Sequence, residues 1–243
     1  MPPSSDIGLI DVPKSCDMLA ARLRNQILSG VYLAGAQLPS ERELVEQTGI
    51  SRNAVREGLR ILEAEGLVQT RLGRYGGSFV CQPSDEMFSR YLRIYSASHN
   101  ISLQSLVEAR QALEPQVAML AASNRTDADL TALRRSLTEL EQADEPAPFL
   151  EKNMQWHHVV ADASQNKLLK VFLTSLSRLI NNVSGVEEFA SANVRKETGH
   201  VYGRILQAIQ EQDVAAAGRR MTRHVQAYSQ QAASAHLKLN RNR

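Results

Sequence analysis

The stretch Leu38–Gly66 constrains the fold most, because it contains two helix starts in quick succession. Ser40 opens the motif S-E-R-E, which has the spacing of a capping box, in which two side chains each satisfy a free backbone N–H of the other residue. Ser51 can cap a second helix, and Gly49 supplies the chain reversal just before it. The sequence therefore predicts a short helix, a tight turn and a longer helix from Arg52 to about Glu65, which is a helix-turn-helix.

The second predicted helix has an apolar face and a cationic face. Val55, Leu59 and Leu62 recur at helical spacing and can face a core. An arginine recurs at every fourth position on another side of the helix: Arg52, Arg56 and Arg60. Such a row is often only a solvated surface. It can also present cations and Asn53 to the major groove of DNA, and the row by itself leaves both interpretations open.

The residues after this helix predict a β-hairpin. Leu67–Arg71 and Ser78–Val80 have strand composition, and the glycine-rich tip Leu72–Gly77 separates them. A hairpin directly after a helix-turn-helix resembles the wing of a winged helix-turn-helix. Such a wing can reach along the DNA backbone or into the minor groove.

Three motifs resemble the DNA-binding domain of GntR-family bacterial transcription regulators. They are L-P-S-E-R-E-L, S-R-N-A-V-R-E-x-L-x-x-L-E-x-E-G-L-V and G-x-x-G-G-S-F-V, within a match that extends from Leu19 to Val80. The resemblance implies a set of residues that contact DNA: Arg42, Arg52, Asn53 and Arg56, with Arg74, Gly76 and Gly77 in the wing.

Length and composition fit an ordinary two-domain protein. The chain has 243 residues, of which 43% are hydrophobic and 22% charged, and its net charge of +2 is too small to indicate a partner. Cys16 and Cys81 are far apart in sequence, which indicates reduced thiols rather than a disulfide framework. No apolar run approaches the roughly 18 residues that a membrane helix needs, and the N-terminus lacks the pattern of a signal peptide. We therefore expect a cytoplasmic protein with no membrane partner.

The predicted fold class is mostly α: an N-terminal winged helix-turn-helix, with a small β wing, followed by an all-α helical bundle. No alternating strand pattern occurs after the wing, and the periodicity there is helical. The expected divisions are a flexible arm over residues 1–13, the winged helix-turn-helix domain over 14–81, a linker over 82–85, the helical domain over 86–237 and a basic tail over 238–243. Within the bundle we expect helices to begin at Phe149 and at about Arg195, and the last helix to end at about Leu237.

Arg110 is a cation in the middle of a predicted core stripe. At about 100° per residue, six apolar residues fall within roughly 60° of it: Leu103, Leu106, Val107, Leu113, Val117 and Ala121. A buried guanidinium needs an anion. That anion is either a structural partner in the bundle, such as Glu114 one turn on, or the carboxylate or phosphate of a bound small molecule.

Three histidines lie on or beside apolar faces of separate predicted helices. His157 shares its face with Leu150, Met154 and Ala161, and Asn153 lies one turn before it. His224 lies among Ala217 and Met221, and His200 lies at the edge of a stripe. A lone histidine on an apolar face is usually a satisfied core residue, but three that can converge in a bundle are also candidate ligands for a metal such as Zn.

The second half of the chain resembles the helical C-terminal domain of the FadR branch of GntR regulators, the FCD type. The motifs are L-x-E-A-R-x-x-L-E-P, W-H-x-x-V-A-x-A-S-x-N-x-x-L, A-I-x-x-x-D-x-x-A-A and a final M-x-x-H. The resemblance implies an effector pocket in which Arg110 lies near the effector's carboxylate. It also implies a divalent metal, Zn or Ni, held by an aspartate and three histidines. The matching positions are Asn153, His157, His200 and His224, and the amide of Asn153 is a weaker donor than a carboxylate.

These observations predict a homodimeric, non-enzymatic transcription regulator that acts as a repressor. We expect it to bind double-stranded DNA at an inverted-repeat operator, under the control of a small carboxylate bound by Arg110 and Asn153. Two other hypotheses remain open at this point. One is a metal-dependent hydrolase fused to a DNA-binding head, and the other is a GntR relative with a different C-terminal domain.

Overall fold

The computed structural model describes residues 13–183 and 190–241, which divide into two compact units after Met87. The first unit holds three helices and a hairpin: α1 (Ser15–Leu28), α2 (Glu41–Thr48), α3 (Arg52–Ala64), β1 (Val68–Arg71) and β2 (Gly77–Val80). Helix α4 (Asp85–Ser98) begins at the boundary. The second unit continues with α5 (Leu103–Asn124), α6 (Asp127–Glu141), α7 (Pro146–Ala163), α8 (Lys167–Val183), α9 (Ala192–Gln210) and α10 (Val214–Arg241). The predicted mostly α fold class is confirmed.

The helix-turn-helix forms through the predicted caps. The hydroxyl of Ser40 accepts a hydrogen bond from the backbone N–H of Glu43 at 3.2 Å, and the Glu43 carboxylate accepts one from the N–H of Ser40 at 2.7 Å. Ser51 caps α3 by accepting from the N–H of Ala54 at 3.2 Å. Gly49 ends α2 with a φ of 70°, a left-handed conformation that glycine adopts without steric cost. The turn is therefore fixed by local sequence alone.

The core of the first unit holds α3 against α1. Val55 and Leu62 are fully buried, and Leu59 is 7% exposed. At Gly58 a Cβ atom would lie 3.0 Å from the carbonyl oxygen of Cys16 and 3.2 Å from Leu19, so glycine permits this close approach of the two helices. Helix α3 consequently packs with its apolar side on the core and turns its arginines outward.

The hairpin is antiparallel and in the register expected of a short wing. Val68 pairs with Val80 at its base, where both side chains are buried, and Arg71 pairs with Gly77 near its tip. The base packs with the core of the first unit, which includes Leu67. The tip therefore projects from a fixed base.

The second unit is a helical bundle in which α5 packs against α7, α8, α9 and α10. Its largest fully buried side chains include Trp156, Tyr202 and Phe149. At Gly218 on α10 a Cβ atom would lie 2.7 Å from Cγ of Met119 on α5, so the two helices pack at close range. Helix α5 continues through Pro115.

Three predicted helix ends differ from the structure. Helix α7 begins at Pro146 rather than Phe149, because prolines are compatible with a first turn whose N–H groups have no partner within the helix. Helix α9 begins at Ala192 rather than Arg195, since Ser191 caps it. Helix α10 extends to Arg241 instead of ending at about Leu237, and no glycine or proline interrupts it there.

Parts of three predicted regions lie outside the described residues: 1–12 of the N-terminal arm, 184–189 before α9, and 242–243 of the basic tail. In the part of the chain that is described, no helix combines the length and apolar character needed to cross a bilayer.

A candidate DNA-binding surface and a candidate effector cavity

The exposed side of α3 carries the residues predicted to contact DNA. Arg52, Asn53 and Arg56 are all exposed. The Nε atom of Arg56 lies 3.1 Å from Oε1 of Glu41 in α2, although 62% of the arginine side chain remains accessible. This ion pair holds Arg56 near the N-terminal end of α3. The exposed part of the guanidinium can still contact a phosphate or a base.

Arg42 lies on the first turn of α2 and is also exposed. Its Nε atom is 2.9 Å from Oε1 of Glu46, and 81% of its side chain is accessible. An ion pair this exposed contributes little to stability. Arg42 can therefore exchange Glu46 for another anion at small cost.

The wing tip presents one cation and two large apolar side chains. Arg74, Leu72 and Tyr75 are exposed, and the guanidinium carbon of Arg74 lies 5.8 Å from the centroid of the Tyr75 ring. A Cβ atom at Gly76 would collide with the carbonyl oxygen of Arg71, and Gly77 has a φ of 138°. The two glycines are thus needed for the shape of the wing.

The second unit contains a cavity of about 610 Å³ between α7, α9 and α10. Asn153 and His224, two of the predicted site residues, are among its lining residues. Apolar side chains including Phe149, Leu150 and Val201 form other parts of its wall. The cavity is large enough for a small organic molecule, since small-molecule sites are commonly about 300–1,000 Å³.

Four arginines line this cavity: Arg204, Arg219, Arg220 and Arg223. Two carboxylates, Glu197 and Asp213, line it as well. Asp213 already accepts a hydrogen bond from the N–H of Ala216 at the start of α10. The lining therefore carries an excess of positive charge, which favours an anionic occupant.

A tyrosine hydroxyl lies at the centre of the polar residues beside the cavity. The hydroxyl of Tyr202 on α9 lies 2.5 Å from Oδ1 of Asn153, 2.8 Å from Nε2 of His157 and 3.3 Å from Nε2 of His224. We refer to these four residues as the polar cluster. A phenol can donate one hydrogen bond and accept others, so this hydroxyl links α7, α9 and α10.

Arg110 forms the structural ion pair that the sequence left as an alternative to effector binding. It is 6% exposed, and its guanidinium donates to the carboxylate of Glu114, which is 2% exposed. Arg110 is absent from the described residues that line the cavity. The prediction that it lies near the effector's carboxylate is therefore not supported, because its charge is compensated inside the bundle.

Glu114 also contacts the polar cluster. Its Oε2 atom lies 2.9 Å from Nδ1 of His157, a close polar contact between a carboxylate and an imidazole nitrogen. The contact favours a proton on Nδ1, because an unprotonated ring nitrogen would face a carboxylate. Nε2 of His157 then carries no proton, so it and Oδ1 of Asn153 are both acceptors for the single proton of the Tyr202 hydroxyl.

Burial controls the charges of these groups. Burial alone would raise the pKa of Glu114, but the neighbouring Arg110 and His157 hold that pKa well below its usual range. Burial lowers the pKa of His157, against the attraction of Glu114. Burial and then the charge of His157 lower the pKa of His224 to about 3. At neutral pH both histidines are consequently neutral and Glu114 is ionised.

The predicted three-histidine cluster does not form. His200 is exposed, while Tyr202, two residues later, is fully buried beside His157 and His224. Residues two apart on a helix point about 200° away from each other, so these two side chains cannot share a face. Among the described residues no group of three or more His, Cys, Asp or Glu side chains is arranged to hold a metal ion.

The residues present do not fit the metal that the FCD resemblance implies. The Tyr202 hydroxyl, Asn153 and two imidazoles meet at hydrogen-bonding distances, and none of these side chains supplies a negative charge. Periodicity could have identified Tyr202, because Tyr202, Ile205 and Ile209 follow one another at i, i+3 and i+7 and are all fully buried. Periodicity does not identify the arginines of α10 as site residues, because the cavity that they line forms only when α9 and α10 pack together.

Comparisons with known proteins agree with both halves of this description. The sequence model of the bacterial regulatory proteins of the gntR family matches residues 16–80, and that of the FCD domain matches residues 105–227. The Glc operon transcriptional activator of Escherichia coli strain K12 is 29% identical over 219 residues, which are 80% of this chain and 81% of the relative. The Uxu operon transcriptional regulator of the same strain is 30% identical over 220 residues, 86% of this chain and 82% of the relative.

A solved structure gives the same result. The structure described as Streptococcus agalactiae GntR aligns with a TM-score of 0.69 at 25% sequence identity, and the alignment covers 89% of this chain and 100% of that one. These matches are to regulators and give no support to the hydrolase hypothesis, and the FCD match removes the hypothesis of a different C-terminal domain. The chain therefore belongs to the GntR family of bacterial regulatory proteins, as a DNA-binding transcription regulator with an FCD domain.

Proposed function

We propose that this regulator is a cytoplasmic homodimer whose affinity for an inverted-repeat operator is controlled by a small organic acid bound in the arginine-lined cavity. The charge of the cavity wall carries this proposal. Four arginines and two carboxylates line the cavity, which has a volume of about 610 Å³. Guanidinium groups bind carboxylates through paired, charge-assisted hydrogen bonds. An acid with polar groups along its length suits a cavity whose wall is partly apolar and partly charged.

Seven residues of the first unit are proposed to contact DNA: Arg42, Arg52, Asn53, Arg56, Arg74, Gly76 and Gly77. Support comes from the exposure of Asn53 and the four arginines on α2, α3 and the wing. The ion pairs of Arg42 and Arg56 are also accessible enough for the arginines to exchange their partners for DNA. Arg52, Asn53 and Arg56 would enter the major groove, where side chains distinguish base pairs. The wing would follow the backbone or the minor groove.

An exposed apolar surface supports the proposed dimer. Helices α4 and α8 are neighbours, since Phe88 and Phe172 form an edge-to-face pair with ring centroids 5.0 Å apart. Five large apolar side chains on these helices are exposed: Tyr91, Ile94, Tyr95, Leu168 and Phe172. A second copy of the chain placed on this surface would remove them from water and would pair two DNA-binding units, as an inverted repeat requires.

Repression is the direction that we propose. Binding of the acid would change the relative placement of the two DNA-binding units of the dimer. An operator with two half-sites is held tightly only when both are engaged at once, so a modest change in spacing releases it. The Glc operon relative is named as an activator, which is the opposite direction.

A thermal-shift screen of small mono-, di- and hydroxycarboxylic acids tests the effector site. An acid that binds the native state raises Tm by mass action. Arg219→Met and Arg223→Met, separately, should reduce this rise. Arg135→Met is the matched control, because Arg135 is an exposed arginine on α6 that does not line the cavity. A rise in Tm that both cavity variants retain would place the acid elsewhere.

A further inference from the structure

The polar cluster occupies the place where the FCD resemblance implies a metal. Its two imidazoles direct their Nε2 atoms at one point, and the hydroxyl oxygen of Tyr202 occupies that point. The separations of 2.8 and 3.3 Å are those of hydrogen bonds. Zinc lies about 2.0–2.1 Å from an imidazole nitrogen, so an ion bound by both histidines would need the space that the hydroxyl fills.

The tyrosine is held firmly in this position. Its ring stacks on Trp156 with the centroids 3.8 Å apart and the planes 9° from parallel. Both side chains are fully buried. Withdrawing the phenol to admit an ion would break this stack and leave a void in the core, and voids of that size are costly.

The charges of the surroundings also oppose a cation. Asn153 is an amide and Tyr202 a phenol, so neither side chain is a carboxylate that could offset the charge of a cation. Glu114 is the nearby carboxylate, but it faces Nδ1 of His157 and is paired with Arg110. A divalent ion in the polar cluster would therefore have two imidazoles and no carboxylate, which is fewer than the three or four His, Cys, Asp or Glu ligands of zinc sites.

We propose that the polar cluster of this chain excludes metal and instead presents neutral hydrogen-bonding groups to the occupant of the cavity. Asn153 and His224 belong to both the cluster and the cavity wall, so they are the groups that an effector would meet. A carboxylate often holds the second ring nitrogen of a histidine that binds a metal. In this chain Glu114 has that place beside His157, and the imidazole points at the hydroxyl of Tyr202 instead of a metal. The exclusion of metal stands on the cluster alone, whereas the role in effector binding rests on the proposed function.

The first test measures metal in the untagged full-length chain, grown with added Zn, Ni and Mn and purified without chelator. Elemental analysis should find well under one ion per chain. Zn, Ni or Mn added to the protein, or EDTA, should leave Tm unchanged. Stoichiometric metal that is lost in both His157→Ala and His224→Ala would overturn the proposal. If both variants retain the metal, it is bound elsewhere on the chain, and this result agrees with the proposal.

The second test creates the missing site. Asn153→Asp with Tyr202→His supplies a carboxylate and a third imidazole, so the double variant should bind about one Zn or Ni per chain and gain Tm on metal addition. Tyr202→Phe is the control, since it keeps the stacked ring and should remain free of metal with a lower Tm. A folded double variant without metal would show that Tyr202 and Asn153 are not what excludes it, and would overturn the proposal. If the double variant does not fold, the metal content of the unaltered chain, measured in the first test, decides whether the cluster excludes metal.

A third measurement connects the cluster to the effector. An acid that raises Tm should do so equally with and without EDTA, and His224→Gln should reduce its effect. A rise in Tm that EDTA abolishes would overturn the proposal. If no acid raises Tm at all, the proposed effector function fails, while the measured metal content still decides whether the cluster excludes metal.

Discussion

The hydroxyl of Tyr202 lies 2.8 Å from Nε2 of His157, although the two residues are 45 positions apart in the chain. The same hydroxyl reaches Asn153 and His224, and His157 leads on to Glu114 and Arg110. A buried polar network of this extent connects α5, α7, α9 and α10. Any ligand that contacts Asn153 or His224 in the cavity therefore acts on side chains that span the bundle.

The DNA-binding surface gives the first prediction. Arg52→Ala and Arg56→Ala should each weaken operator binding by about 1–3 kcal/mol, because each removes a cation from an exposed position on α3. Tm should change little in either variant. Arg22→Ala is a charge-matched control at an exposed position of α1 and should bind nearly as tightly as the unaltered chain. Electrophoretic or anisotropy titrations provide the affinities, and unchanged binding in both α3 variants would remove these residues from the recognition surface.

The ion pair in the bundle gives the second prediction. Arg110→Met should lower the free energy of unfolding by about 3–5 kcal/mol, because it leaves the buried Glu114 carboxylate without its main counter-charge. Arg110→Met combined with Glu114→Gln removes both charges and should recover part of that loss. Urea denaturation measures both variants. An Arg110→Met chain of normal stability that fails to respond to the acid would instead favour the effector role for Arg110.

The exposed apolar surface on α4 and α8 gives the third prediction. Tyr95→Glu should shift the chain from dimer to monomer in sedimentation, since it places a charge in the middle of the proposed interface. Glu151→Lys, an exposed charge change on α7, is the control and should leave the dimer intact. A Tyr95→Glu chain that remains fully dimeric would place the interface elsewhere.

The buried histidines give a pH dependence. Burial lowers the pKa of His224 to about 3 and that of His158 to about 4, and it lowers the pKa of His157 as well. Below about pH 6.5 the unfolded chain binds protons that the folded chain does not, so stability falls as pH falls from 6.5 toward 4. The slope approaches about 1.4 kcal/mol per pH unit for each such proton.

Chemical denaturation at a series of pH values measures this slope. His224→Gln should make the slope shallower, because it removes one of the histidines that remains neutral in the fold. Equal slopes in the unaltered chain and in His224→Gln would contradict the neutral, buried state assigned to His224.

Local signals in the sequence were sufficient for the first unit. The capping box at Ser40, the cap at Ser51 and the left-handed Gly49 each depend on residues within a few positions, and all three are present in the structure. Periodicity likewise placed Val55 and Leu62 in the core. These features can be predicted because the interactions that produce them do not require the rest of the chain.

The site in the second unit was harder to predict, because it depends on which helices pack together. The partner of Arg110 was a choice between Glu114 and an external anion, and only the packed bundle shows that both residues are buried. Residue type alone points to His200 as a ligand, although Tyr202 holds the buried position on that helix. Three cavity arginines are close in sequence on α10, but only the packed bundle brings Arg204 of α9 and the apolar wall beside them.

The most direct test of the account is operator binding in the presence and absence of the acid. DNA selected by the chain from a random library should contain an inverted repeat, with half-sites about one helical turn apart or closer. The acid that raises Tm should weaken binding to this DNA about 10-fold or more, equivalent to about 1.4 kcal/mol of coupling. Arg223→Met should keep the affinity for DNA and lose the response to the acid. Selection of a single unrepeated site, or binding that no Tm-raising acid alters, would contradict the account.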